Sequence, residues 1–252
     1  LPEGFEYHNG NGTLCLIGEF DEETGKFQEE HDQSVDYGID FYAPQTVLTP
    51  DGRRVMMGWM QNWDTCQQRT TDVLWFGQMS LPRELSVKNG RLYQAPLREL
   101  EAFRSNKVDY QDVTFSDVME LEGIRGRRVD IELTIRPGEE GNRYHKFALR
   151  FAQNEKYQTS LNFRPRESIL KVDRKHSGSR RAIIHQRRSK VNSINGELKL
   201  RVILDRFSVE VFVNDGEQVL SAILYTGQSA DGISFYADGT VRMDIVKYDL
   251  IV

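Results

Sequence analysis

The sequence predicts an all-β protein with a β-sandwich in its second half, on three observations. Short runs rich in β-branched and aromatic residues recur along the chain, split by Gly, Pro, Asn and Asp. One of them, Ser208-Val209-Glu210-Val211-Phe212-Val213, alternates and meets Asn214-Asp215-Gly216-Glu217, a strong hairpin signal. Only one short stretch carries a helical pattern. Many short strands separated by turns are the mark of a sandwich.

Taken in order, Asn9-Gly10-Asn11-Gly12 reads as a tight reversal into an extended run at 14–20. Phe41–Leu48 and Arg54–Trp59 follow, separated by Thr49-Pro50-Asp51-Gly52. Pro presets φ there and Gly accepts positive φ, so the segment is a turn. Pro96-Leu97-Arg98-Glu99-Leu100-Glu101-Ala102-Phe103-Arg104 has Pro near its start and apolar residues at 97, 100 and 103, which predicts a short helix. It makes a natural connector. The chain therefore divides into residues 1–95, a linker with a short helix over 96–111, and a sandwich over 112–252. Strands are expected at 128–135, 146–152, 159–163, 169–172, 198–204, 208–213, 219–224, 233–236 and 241–248.

Composition bounds the function. At 252 residues, 38% hydrophobic and 28% charged, the chain fits one large domain or two ordinary ones. No apolar run approaches the roughly 18 residues of a membrane helix, so no membrane partner is expected. No secretion signal is visible, and the chain opens on Leu1 rather than Met, which reads as a processed or truncated piece. Two cysteines, Cys15 and Cys66, make no disulfide framework and favour a reducing, cytoplasmic setting. Residues 164–201 hold twelve Lys/Arg against three acids. Base-stacking aromatics are lacking there, with only Phe163 at its edge, so a solvated β-domain edge is preferred to a nucleic-acid partner. The five histidines are scattered, neither cysteine has a Cys-x-x-Cys partner, and no phosphate-cradling glycine loop occurs. No metal and no cofactor are expected. There is no Gly-x-Ser-x-Gly elbow, and Ser80 is followed by Leu-Pro.

The residues best suited to chemistry lie between 36 and 63. Asp36 and Asp40 are four apart, which on a regular strand puts both on one face. Such a pair suits acid/base work, although acids at strand ends also cap turns. Tyr42 shares the face of Asp40 if the strand is regular. Trp59 and Trp63 are also four apart, as suited to a core as to a sugar platform. Aromatic faces stack on the C–H side of a sugar while polar groups bond its hydroxyls.

Asp40-Phe41-Tyr42-Ala43-Pro44-Gln45-Thr46, Gly58-Trp59-Met60-Gln61-Asn62-Trp63, Gly77-Gln78-Met79-Ser80-Leu81-Pro82-Arg83-Glu84-Leu85 and the 208–217 segment, in that order, resemble glycoside hydrolase family 32. That family contains invertases, sucrose-6-phosphate hydrolases, levanases and inulinases. The opening, with Tyr7-His8-Asn9 and Leu16-Ile17-Gly18-Glu19-Phe20, looks most like the sucrose-6-phosphate hydrolase branch. The resemblance implies the closing part of a five-bladed β-propeller followed by a β-sandwich. It implies a retaining β-fructofuranosidase acting on sucrose, sucrose 6-phosphate or fructan, with a carboxylate nucleophile and a carboxylic acid/base. The family's Trp-Met-Asn-Asp-Pro-Asn-Gly, Arg-Asp-Pro and Glu-Cys motifs do not occur here, so no catalytic residue is assigned. The missing acids are expected on an amino-terminal propeller part, and this portion alone is expected to be inactive. By the same resemblance Tyr42 reaches the fructose subsite and its acid/base, Trp63 lies near the sugar, and Asp40 orients the site. Arg83 and Glu84 look like a structural ion pair or a solvated turn. The competing reading is a non-catalytic fructan-binding or structural module. Exposed strand edges over 1–95 are expected to drive the isolated chain to a homodimer or to aggregation, or to leave only the sandwich well folded.

Overall fold

A computed structural model describes residues 12–66, 75, 77–139, 144–178 and 184–251, which form sixteen strands in three antiparallel sheets. Asn9-Gly10-Asn11 and Arg180-Arg181 lie outside the described residues. Strands β1 (Leu14–Asp21) and β2 (Lys26–Ser34) form a hairpin. Its turn is held by the Asp21 carboxylate, which accepts from the Glu23 and Thr24 amides. Strand β2 gives little sequence signal because Lys-Phe-Gln-Glu-Glu-His-Asp-Gln-Ser is polar on both faces.

A four-stranded sheet follows: β3 (Tyr42–Leu48), β4 (Arg54–Trp59), β5 (Arg83–Lys88) and β6 (Arg91–Pro96). The Pro50-Asp51-Gly52 turn joins β3 to β4, with the Gly52 amide donating to the Thr49 carbonyl at 2.9 Å. Strand β3 begins at Tyr42, and residues 37–41 are irregular. The regular-strand premise for Asp36, Asp40 and Tyr42 therefore fails. The expected helix is a 3₁₀ segment over Arg98–Phe103 without a side-chain N-cap. Six residues are too few to propagate an α-helix. Strand β7 (Arg104–Met119) starts directly behind it, so residues 104–111 are strand rather than linker.

The remainder is one ten-stranded sheet. Its members are β7, β8 (Val129–Pro137), β9 (Lys146–Gln153), β10 (Gln158–Arg164), β11 (Ile169–His176), β12 (Gln186–Lys190), β13 (Leu198–Asp205), β14 (Ser208–Val213), β15 (Gln218–Ile223) and β16 (Gly232–Leu250). The order is β12-β11-β10-β9-β16-β8-β13-β14-β15, with β7 also on β16. The two runs expected at 233–236 and 241–248 are one 19-residue strand. Its first part pairs with β9, as Phe235 opposite Leu149, and its second with β8, as Ile245 opposite Leu133. Strand β7 follows it on its other side with register shifts. One strand thus serves both halves, and the sheet curls into a half-barrel.

Alternation fills that curl. Val129, Ile131, Leu133 and Ile135 of β8 enter the core, as do Val209, Val211 and Val213 of β14. Phe147, Leu149 and Phe151 of β9 face Ile233, Phe235 and Ala237 of β16 in the same cluster. The four-stranded sheet has only a small core, Val35, Phe41, Met56 and Leu92.

Candidate carbohydrate site

Tyr42 and Trp59 are direct register partners across β3 and β4, so backbone pairing alone brings their side chains together. Trp63 lies four residues beyond Trp59 on a turn. Asn62 builds that turn: its side-chain oxygen accepts from the Asp64 amide at 3.0 Å and the Thr65 amide at 3.1 Å. The Trp63 ring then meets Trp59 edge-on at 5.5 Å between centroids and Tyr42 at 6.1 Å. Trp63 is 62% exposed. The three rings make an open aromatic wall. Gly58 is required beneath it, because a Cβ there would lie 2.5 Å from the Phe41 ring.

Behind the wall runs a strap, residues 36–40, laid against β15. Strand β15 ends the order of the ten-stranded sheet, and the strap satisfies its outer edge. The amides of Tyr37 and Ile39 donate to the carbonyls of Val219 and Ser221, each at 2.7 Å. The amides of Ser221 and Ile223 donate to the carboxylates of Asp36 at 2.9 Å and Asp40 at 2.7 Å. Two aspartates four apart on the strap thus match two amides two apart on the strand. Gly38 sits between them, where a Cβ would fall 2.0 Å from the Ser221 nitrogen.

Each aspartate has a cation. Arg83, fully buried, donates to Asp36 at 3.0 Å, to Glu210 through Nε at 2.8 Å and Nη2 at 2.6 Å, to Ser221 Oγ at 2.7 Å and to Gln94 at 3.1 Å. Its guanidinium also lies 4.5 Å from the centre of the Phe41 ring. The sequence motifs around Arg83 and Glu210 are therefore two sides of one ion cluster. Burial raises the pKa of both Asp36 and Glu210, against the pull of the single guanidinium they share. Asp40 is paired with Arg174 and accepts from Asn62 Nδ2 at 2.5 Å.

The structure thus brings Tyr42, Trp59 and Trp63 together and sets Asp40 immediately behind them, buried, with both carboxylate oxygens engaged. Asp36 is held away from that group by Arg83 and Ser221. These contacts leave the two aspartates as edge caps rather than as a free acid/base pair. Asn62, Arg174 and Glu210 carried no separate signal in the sequence, because their partners lie 22, 134 and 127 residues away. Part of the basic stretch is neutralised within the fold, Arg174 by Asp40, Lys171 by Asp173 and Arg201 by Asp130. Among the described residues, no group of three His, Cys, Asp or Glu is placed to hold a metal ion.

Comparison with known proteins gives this arrangement its setting. Residues 1–96 match the glycosyl hydrolases family 32 N-terminal domain, and residues 99–250 match the glycosyl hydrolases family 32 C-terminal domain. The chain is 29% identical to a sucrose-6-phosphate hydrolase of Staphylococcus xylosus over 98% of its own length and 49% of the relative's. It is 31% identical to a levanase of Bacillus subtilis over 93% of its own length and 36% of the levanase. The exo-inulinase of Aspergillus awamori shares the fold, with a TM-score of 0.79 at 23% identity over 95% of this chain and 50% of the inulinase. The chain thus spans about half or less of the curated relatives it matches. With both halves matched in order and the motif residues meeting at one junction, the chain belongs to glycoside hydrolase family 32.

Proposed function

We propose that this chain is part of a retaining β-fructofuranosidase that releases terminal fructose from sucrose, sucrose 6-phosphate or a fructan. The observation that carries the reading is the open wall of Tyr42, Trp59 and Trp63, built from the family's own motif residues. Such a wall receives the C–H face of a furanose ring and excludes water beside it. The Tyr42 phenol is a donor and acceptor able to bond a neighbouring carboxyl and tune it. In this reading residues 1–95 are the closing part of a β-propeller and 112–252 a sandwich domain. The nucleophile and acid/base come from an amino-terminal propeller part outside these residues. Retention needs those two carboxyls only about 5–5.5 Å apart, with the acid keeping its proton near neutral pH. Three facts support this: the family membership, the absence of the acid motifs from these 252 residues, and relatives named for fructoside hydrolysis.

The test is hydrolysis of sucrose, sucrose 6-phosphate and inulin by a longer protein that carries the acid motifs, beside this chain alone. Turnover by the longer protein, with retained configuration in the released fructose, and none by the chain alone, is the expected result. Sucrose turnover by the purified 252 residues would refute the placement of the acids. Fructan binding without turnover by either protein would favour a binding module.

A further inference from the structure

We infer that Arg174, on β11 of the ten-stranded sheet, is a positioning residue for the aromatic wall of the other sheet. The inference rests on the proposed reading of that wall as sugar-binding. The geometry is a relay of three buried groups. The Arg174 guanidinium is fully buried and anchored on its own sheet's side. It donates to the Ile184 carbonyl through Nε at 3.2 Å and Nη2 at 3.0 Å, and to the Ile223 carbonyl through Nη1 at 3.2 Å. It lies 5.1 Å from the centre of the Tyr225 ring. Its remaining donor capacity goes to Asp40.

Asp40 passes the constraint on in two directions. Along the chain it is two residues from Tyr42, where β3 begins. Across space it accepts from Asn62 Nδ2 at 2.5 Å, which also reaches the Ile39 carbonyl at 3.5 Å. The other end of the same amide holds the Asp64 and Thr65 amides, and so fixes the turn bearing Trp63. One carboxylate therefore sets both Tyr42 and Trp63, and Arg174 sets the carboxylate. Each member has little alternative. Asp40 without its cation would be an unpaired buried charge, and Asn62 without Asp40 would lose the partner that orients its amide. A hydrogen-bonded second layer of this kind holds recognition groups to the sub-ångström tolerance that binding demands.

The experiment uses the chain with a readout of ring geometry and a separate readout of sugar. Trp59 and Trp63 at 5.5 Å produce exciton-coupled circular dichroism, which Trp63→Phe assigns. Arg174→Met and Asn62→Ala are expected to abolish most of that couplet, and Arg174→Lys to restore part of it. Arg125→Met, which removes an exposed pair with Asp231, should leave it whole. Fructose affinity, followed by tryptophan quenching in the longer protein that carries the acid motifs, should fall by roughly ten- to a hundredfold in Arg174→Met and Asn62→Ala. If Arg174→Met fails to fold, judged by its far-ultraviolet sheet signal, Asn62→Ala carries the test, since Asn62 lies outside the strands. An unchanged couplet in the folded variants overturns the relay. A lost couplet with fructose affinity unchanged, in these variants and in Trp63→Phe, leaves the relay standing and overturns the sugar reading. Absence of fructose binding by the longer protein that carries the acid motifs overturns the sugar reading as well.

Discussion

The two larger sheets solve the same problem to different degrees. The ten-stranded sheet curls around its own apolar face and buries a contiguous core running from Phe115 to Ile245, completed by Tyr37 and Ile39 from the strap. The four-stranded sheet buries four residues in its own cluster and leaves Val47, Leu48, Met57 and Val87 exposed. The first is stabilised by area removed from water. The second adds to its small core polar contacts with its neighbour, the strap on β15, Arg83 on Glu210 and Asp40 on Arg174, and the packing of Leu81 and Leu100 on Ile203, Phe212, Val219 and Leu250. The smaller sheet thus takes its order from the larger one, through charge and backbone pairing as well as the apolar contacts of Tyr37, Ile39, Leu81 and Leu100.

That contrast can be broken in graded steps. Phe235→Ala strikes the large core and should cost about 3–5 kcal/mol in denaturant unfolding, lowering the transition of the whole chain. Arg83→Met should cost about 3–5 kcal/mol as well, because it strands Asp36 and Glu210. Its signature should differ: amide exchange should rise over β3 to β6 while β8, β9 and β13 keep their protection. Uniform protection across both sheets in Arg83→Met would refute the dependence of the smaller sheet on its neighbour. Gly38→Ala pushes the strap off β15 and should cost about 1–3 kcal/mol with the same regional pattern, read by the same exchange measurement.

The smallest effect is one of pH, and it has opposite signs at two ion clusters. Hydrogen bonds and charge from Arg98, then Arg53, hold the Glu84 carboxyl down to about 2. A depressed carboxylate stabilises above its unfolded pKa, and that contribution fades as pH falls from about 4.5 toward 2. Asp36 and Glu210 are raised, so their contribution is fully present below the unfolded carboxylate range and is lost as pH climbs from that range through their raised folded values. Replacing Glu84 with Gln should therefore flatten the acid limb of a stability–pH curve. The same change at Glu210 should flatten the opposing slope and lower stability throughout. Chemical unfolding at a series of pH values measures both, and identical curves would refute the assignment.

The sequence was most readable where one sheet face is buried and the other is not. Strands β8, β13 and β14 announced themselves by alternation, and the Pro50-Asp51-Gly52 turn by its chemistry. Strands β2, β5, β6, β7 and β12 did not: Gln186-Arg187-Arg188-Ser189-Lys190 on an edge, for one, has no apolar face to reveal it. The aromatic candidates at 42, 59 and 63 could be named because their residue types suit one task. The meaning of Asp36 and Asp40 could not, since a spacing of four says nothing of an irregular strap against amides some 180 residues further on. Pairings such as Arg83 with Glu210 are fixed by the fold alone.

Strand β16 has a consequence for biosynthesis. It is the last described strand in chain order, yet it sits between β9 and β8 and carries β7. While the ribosome is still translating, β7 through β15 must wait for residues 232–250 before their central seam exists. At the usual ~5–20 residues per second, the delay between finishing β7 and starting β16 is on the order of ten seconds. Through that interval β8 pairs with β13 and β9 with β10, but β7 lacks the strand it pairs with and the two halves of the sheet stay unjoined.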